Sequence, residues 1–206
     1  MIGKLSLKYN LDLKIIGVAL LYYFSARIGY FFEFENTTAL PAWPPSGIAF
    51  ALIILLGRSS WPGITMGSLV ANVMAYWNNP DLPHQTIITI SSLIAIGNTL
   101  EAVAGNYLVK TWIKDDFPFR TTKNAFRFLF VTLLMCVFGA GIGTLSLYLN
   151  DAVLVENLVR TGFSWWVGNV VGILLFTPVI LAISKRVQST FSSEKAMEVG
   201  IFLLNI

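Results

Sequence analysis

Positive charge alternates with apolar runs along this chain, and that alternation leaves few folds open to it. Six long apolar runs occupy residues 14–32, 44–57, 61–77, 86–108, 127–149 and 163–184. Lys4, Lys8, Lys14, Arg58, Lys110, Lys114, Arg120, Lys123, Arg127, Lys185, Arg186 and Lys195 flank them at alternating ends, which puts 12 of the 14 cationic residues on one side. Arg160 alone lies in a loop of the other side, and Arg27 sits inside a run. Loops kept in the cytoplasm carry the excess of Lys and Arg. The pattern therefore predicts a cytoplasmic N terminus and an even number of crossings by residue 185. The expected fold class is all-α, a polytopic transmembrane helix bundle.

Composition excludes the soluble alternatives. Hydrophobic residues make up 55% of the chain and charged ones 12%, with a mean hydropathy of +0.69, far from the balance of a soluble domain. The net charge of +3 is no nucleic-acid footprint, because the cations sit at membrane boundaries, where anionic lipid headgroups attract them. Membrane lipids are thus the first partner expected, and nucleic acid is not one. Cys136 is the single cysteine and His84 the single histidine. No intrachain disulfide and no cysteine- or histidine-based metal centre is expected, and no cofactor site is legible. Lys4, Lys8 and Lys14 precede the first run as in a signal peptide. That run is long, however, and closes on no small-x-small site, so an uncleaved spanning helix is expected.

A spanning helix needs about 20 residues for a hydrocarbon core roughly 30 Å thick. The first, fourth, fifth and sixth runs meet this length. The second and third are shorter and are joined by Gly57-Arg58-Ser59-Ser60. Arg58 is badly placed for the middle of one long helix, so the pair reads as a helical hairpin turning at the cytoplasmic face. Trp43, Trp61 and Trp77 would be its interfacial anchors. Pro44, Pro45 and Pro62 fall near helix starts, where a missing N–H costs little. The outer loops, 33–43, 78–85 and 150–162, are too short for a folded domain, and the basic inner loop 110–123 is too short to be catalytic. Any stimulus must act within the membrane or through a pocket open to one face. Residues 196–206 begin a seventh apolar run that stops about halfway across. A half-span leaves backbone carbonyls unpaired in lipid, so the expectation is one integral membrane domain over 1–206, six complete helices plus a truncated seventh, with further chain beyond. A short interfacial helix is the alternative.

Gly63 and Gly67, Gly139 and Gly143, and Gly168 and Gly172 are each four apart within an apolar run. That spacing lets helix backbones approach closely, most simply within one bundle. Polar groups in the runs are more telling, since a charged side chain near a helix centre costs at least about 2.5–3.5 kcal/mol. Arg27 lies toward the outer end of the first run. Depth counting puts Asn72 and Asn169 level with it, with Ser46, Trp165 and Trp166 above. These residues describe a cup open outward, with Arg27 as its cation and a tryptophan wall, suited to an anionic or amphipathic ligand. In the competing view Arg27 snorkels toward Glu33 or headgroups and the asparagines join helix to helix. Gly97, Asn98, Glu101 and Gly105 share one helical face. A carboxyl at Glu101 must be neutral, paired or beside water, so it is read either as a protonation switch of helix packing or as a structural hydrogen-bond acceptor. There is no phosphate-cradling loop, nucleophile–histidine pair or aspartate pair, so no catalytic residue is assigned.

Trp43-Pro44-Pro45-Ser46-Gly47, Gly57-Arg58, Trp61-Pro62-Gly63, Gly67 and Ala71-Asn72 occur in that order. They are followed by Gly97-Asn98-Thr99-Leu100-Glu101-Ala102, Gly143-Thr144-Leu145-Ser146-Leu147, Trp165-Trp166-Val167-Gly168-Asn169, Gly172 and Thr177-Pro178. Each motif is weak alone, but the ordered set resembles the bacterial membrane-associated sensor domain of the first type, from about residue 14 to the end. The resemblance implies a domain of about eight membrane helices in the bacterial inner membrane. It also implies a C-terminal cytoplasmic output domain, a histidine kinase, diguanylate cyclase or phosphodiesterase, that signals as a homodimer. It implies no particular small-molecule signal. The first functional expectation is therefore a sensory input domain, not itself an enzyme. A small-solute transporter is the second, weakened by the lack of an evident repeat between the two halves. A membrane scaffold recruiting a partner through the basic loop 110–127 is the third.

Overall fold

The computed structural model describes residues 2–31, 42–115 and 117–190. Six α-helices account for nearly all of them: α1 Ile2–Phe31, α2 Pro44–Leu56, α3 Trp61–Tyr76, α4 His84–Leu108, α5 Thr122–Leu149 and α6 Leu158–Thr190. No strand occurs among the described residues. Three segments, His84–Ile113, Thr122–Leu149 and Val155–Arg186, are long and apolar enough to cross a membrane by length and composition, and α2 is a shorter apolar helix. The seventh run, 196–206, lies outside the described residues.

Four of the helices, α1, α4, α5 and α6, start before the apolar runs that announced them. α1 starts well before residue 14 and α5 begins at Thr122, ahead of the run at 127. An apolar run measures the depth of lipid, whereas the helix continues while propensity and capping allow. Thr121 supplies such a cap, its Oγ1 accepting from the Asn124 N–H at 3.2 Å. Pro44 and Pro45 fill the first turn of α2, and Pro62 that of α3. α2 ends at Gly57, whose φ of +85° is open to glycine at little cost. A 3-10 turn, Arg58–Ser60, then reverses the chain into α3.

The reversal makes no packed hairpin. α1 lies on α3, α3 on α4, α4 on α5 and α5 on α6, while α2 packs chiefly on α6, α1 and α4. At 13 residues, α2 is roughly 20 Å long, short of the bilayer core. It need not meet lipid at both ends because its neighbours enclose it: Ala49, Phe50, Ala51 and Ile53 are fully buried. Phe50 stacks on Phe128 of α5 at 5.7 Å between ring centroids. Glycine makes the tight contacts. A Cβ on Gly63 or Gly67 would strike the backbone carbonyl of Ile15 or Ala19 in α1, and one on Gly172 the backbone of Trp43. The glycine pairs therefore serve packing within the bundle.

The cations gather at one end. Lys14 Nζ donates to the Leu56 carbonyl at 2.7 Å, closing the C terminus of α2. Arg127 donates to the Trp112 carbonyl at 2.8 Å, and Lys185 stands 4.5 Å from the Phe117 ring centroid.

Candidate functional site

At the opposite end, where α1, α3 and α5 finish and α2, α4 and α6 begin, the helices part around a cavity of about 220 Å³. Four rings wall it: Tyr30 from α1, Trp43 just before α2, Tyr76 from α3 and Trp165 from α6. Three amides, Asn72, Asn98 and Asn169, come from α3, α4 and α6, and Thr161 and Ser164 add hydroxyls from the first turns of α6. Ile94, Leu147, Val153 and Gly168 complete the described lining, which holds no charged side chain.

Each wall has a local cause. Trp43 is carried over α6 by its own backbone, its N–H donating to the Gly168 carbonyl at 2.8 Å, and its ring meets Tyr30 edge to face at 5.1 Å. Gly143 of α5 leaves a bare patch of backbone against which the Trp165 ring lies. Gly29 does the same beneath Trp43. Small residues thus seat the large rings that shape the cavity.

Ser68 joins two of the amides, and Glu101 holds the third. Asn72 Nδ2 donates to the Ser68 carbonyl at 2.8 Å, which fixes its orientation, and its Oδ1 accepts from the Tyr30 hydroxyl at 3.3 Å. Asn98 Nδ2 donates to Ser68 Oγ at 2.9 Å. Asn169 Nδ2 donates to Glu101 Oε2 at 2.7 Å, joining α6 to α4. These side chains are almost wholly buried, yet Asn98 Oδ1 and Asn169 Oδ1 carry no hydrogen bond. Buried polar groups normally find a partner; around this cavity those two amide oxygens and one donor, the Trp43 Nε1–H, have none. Deeper in, the Tyr22 hydroxyl lies among Ser68, Trp43 and Asn98 without a well-formed bond.

The residues singled out from the sequence divide into three groups. Asn72, Asn98, Asn169 and Trp165 converge on the cavity. Glu101 and Ser46 stand directly behind it: both are buried, and Ser46 Oγ faces the Glu101 carboxyl without closing a hydrogen bond. Glu101 forms no ion pair among the described residues. Arg27 and Trp166 lie elsewhere. Arg27 is exposed, on the outward stripe of α1 with Leu20, Phe24 and Ile28. The cup therefore has no cation among the described residues, because one helix cannot present position 27 inward while Tyr22, Ala26 and Gly29 face the core. Trp166 turns from the cavity and donates its Nε1–H to the Leu133 carbonyl on α5 at 3.0 Å. Trp43, expected as an interfacial anchor, is instead 7% exposed and inside the site, whereas Trp61 and Trp77 are about half exposed. Tyr30, Tyr76, Ser68, Thr161 and Ser164 escaped the sequence reading. Tyr30 and Tyr76 end their helices at the same depth as the amides, the one signal that could have found them.

A family model described as MASE1 matches residues 16–205. No curated protein and no solved structure matches the chain.

Proposed function

The chain belongs to the MASE1 family, the membrane-associated sensor domains of histidine kinases and diguanylate cyclases, and from that premise we propose that it reads a small molecule held in the cavity. A domain of this family is a sensory input module and is not catalytic by itself. The observation that carries the reading is a cavity of about 220 Å³ walled by four rings and three buried amides, whose residues leave Asn98 Oδ1, Asn169 Oδ1 and the Trp43 Nε1–H unpartnered.

In this reading the six-helix bundle sits in the bacterial inner membrane with the cationic end in the cytoplasm. The cavity then opens on the outer side, and the output domain, a histidine kinase or diguanylate cyclase acting as a homodimer, stands on the inner side. α6 links the two. Its 33 residues span roughly 50 Å, from Thr161 and Trp165 at the cavity to the cationic end. Pro178 interrupts its hydrogen-bond ladder partway. A ligand shifts the output only by binding one helix arrangement better than the other. Asn169 is the residue placed to register that difference, since it belongs to the cavity lining and its Nδ2 donates to Glu101.

The test is the output activity of the whole natural protein in native membranes. Asn98→Leu and Trp165→Ala, which alter the cavity from α4 and α6, are expected to change basal output at least threefold and to abolish its response to growth conditions. If both variants insert normally and follow the unaltered protein under every condition, the cavity is not the input site.

A further inference from the structure

The cavity wall offers rings and neutral polar groups, and its described lining holds no Asp, Glu, Lys or Arg. The Glu101 carboxyl lies outside that lining, with its Oε2 held by Asn169 Nδ2. Asp151, Glu156 and Arg160, on the segment that runs from α5 into α6, are exposed, and none of them lines the cavity. The polar groups choose no sign of charge either. Thr161 and Ser164 are half-buried in the lining, and their hydroxyls make no hydrogen bond among the described residues. Each hydroxyl can both donate and accept. The unpartnered groups nearby are mixed as well, the Trp43 Nε1–H being a donor and the amide oxygens acceptors. An ion entering here would give up water and meet no counter-charge in the described lining. Ring faces attract a cation, but by less than stripping its water costs.

We propose that the cavity is a site for a small uncharged molecule built on one flat ring, whose single hydroxyl- or amide-type group exchanges hydrogen bonds with Thr161 and Ser164. This deepens, and rests on, the reading of the cavity as the ligand site. A ring has partners on several sides, because Tyr30, Trp43, Tyr76 and Trp165 reach the cavity from three helices and the segment before α2, and aromatic rings pack offset or edge to face. The size fits as well: about 220 Å³ exceeds the roughly 150 Å³ of an apolar cavity that accepts benzene, leaving room for a short polar arm. The two hydroxyls also belong to the right helix. Thr161, Ser164, Trp165, Gly168 and Asn169 all line the cavity, and their spacing puts them on one stripe of α6. A ligand bonded at the outer end of that stripe and packed on Tyr30 and Tyr76 ties α6 to α1 and α3. That is a contact one helix arrangement can make better than the other.

The experiment titrates the whole natural protein in lipid nanodiscs with four probes of similar size, benzyl alcohol, benzylammonium, benzoate and cyclohexylmethanol, following tryptophan fluorescence against empty nanodiscs. Benzyl alcohol is expected to saturate the signal with a Kd at least tenfold below those of benzylammonium and benzoate, and at least threefold below that of the non-planar cyclohexylmethanol. The double variant Thr161→Val, Ser164→Ala should weaken benzyl alcohol at least threefold. Should that variant fail to fold, the ranking on the unaltered protein still decides. Either charged probe or cyclohexylmethanol binding as tightly as benzyl alcohol, or no saturable binding by any probe, overturns the proposal. The output of the Asn98→Leu and Trp165→Ala variants judges the sensory reading by itself. An altered output without preference for the uncharged ring removes the ligand class alone. That preference with an unaltered output keeps the ligand class and removes the sensory role.

Discussion

α6 meets its neighbours in two different ways along its length. On α2 it is sealed: Gly47 lies against the Gly172 backbone and Gly172 against that of Trp43, neither with room for a Cβ, and Thr177 Oγ1 donates to the Gly47 carbonyl at 2.8 Å. Toward α3 and α4 it is held off by Trp165 and reaches α4 through one hydrogen bond, from Asn169 to Glu101. The first contact has no space. The second has space, and Asn169 Oδ1 there is unpartnered. Lipid cannot drive helices together by hydrophobicity, so a membrane bundle is tight only where small residues bring backbones into contact. It stays open where bulky rings hold backbones apart. One helix thus carries a fixed seam and an adaptable one.

That contrast can be broken from the sealed side with the largest effect. Gly47→Leu forces a side chain into the Gly172 carbonyl and Phe176. It is expected to cost about 3 kcal/mol, the upper part of the usual overpacking range, read as loss of folded protein in detergent melts. At the open seam, Glu101→Ala removes the acceptor of Asn169 Nδ2 and should cost about 1–3 kcal/mol, whereas Glu101→Gln keeps an acceptor there and should fall well below Glu101→Ala. Equal melting points for the two variants would show that the α4–α6 bond contributes nothing. Thr177→Val deletes the bond to Gly47 while keeping the shape, for about 1 kcal/mol. The same melts should show no change in cavity occupancy, since Thr177 is remote from the lining. Arg27→Gln is the smallest: exposed on the outward stripe of α1, it is expected to leave any ligand titration within twofold of the unaltered protein. A larger change would place Arg27 at the site after all.

Much of the bundle could be read before any coordinates. The hairpin turn at Gly57, the close glycine pairs and the buried face Gly97-Asn98-Glu101-Gly105 were legible because helical periodicity fixes which residues share a face. Depth counting went further, bringing Asn72 and Asn169 to one level. It failed for Arg27 because depth is one coordinate and direction around the helix is another. Only the burial of Tyr22 and Ala26 tells which way position 27 points. It failed for Trp43 for a related reason. A tryptophan next to a helix start has the composition of an interfacial anchor, and the hydrogen bond from its N–H to Gly168 that draws it inward lies 125 residues away in sequence.

By itself the sequence determined that this is a helical membrane domain and where its apolar runs lie, because a lipid solvent demands apolar runs, internally paired backbone and cations at the edges. Only the tertiary structure decided that α2 is the enclosed helix rather than half of a packed hairpin. Only it brought Trp43, Trp165 and three buried amides to one ring-walled cavity, with no charged side chain among its described lining. Those outcomes depend on which backbones touch, and that is settled by long-range fits such as Gly47 on Gly172 and Trp165 on Gly143, which no local pattern encodes.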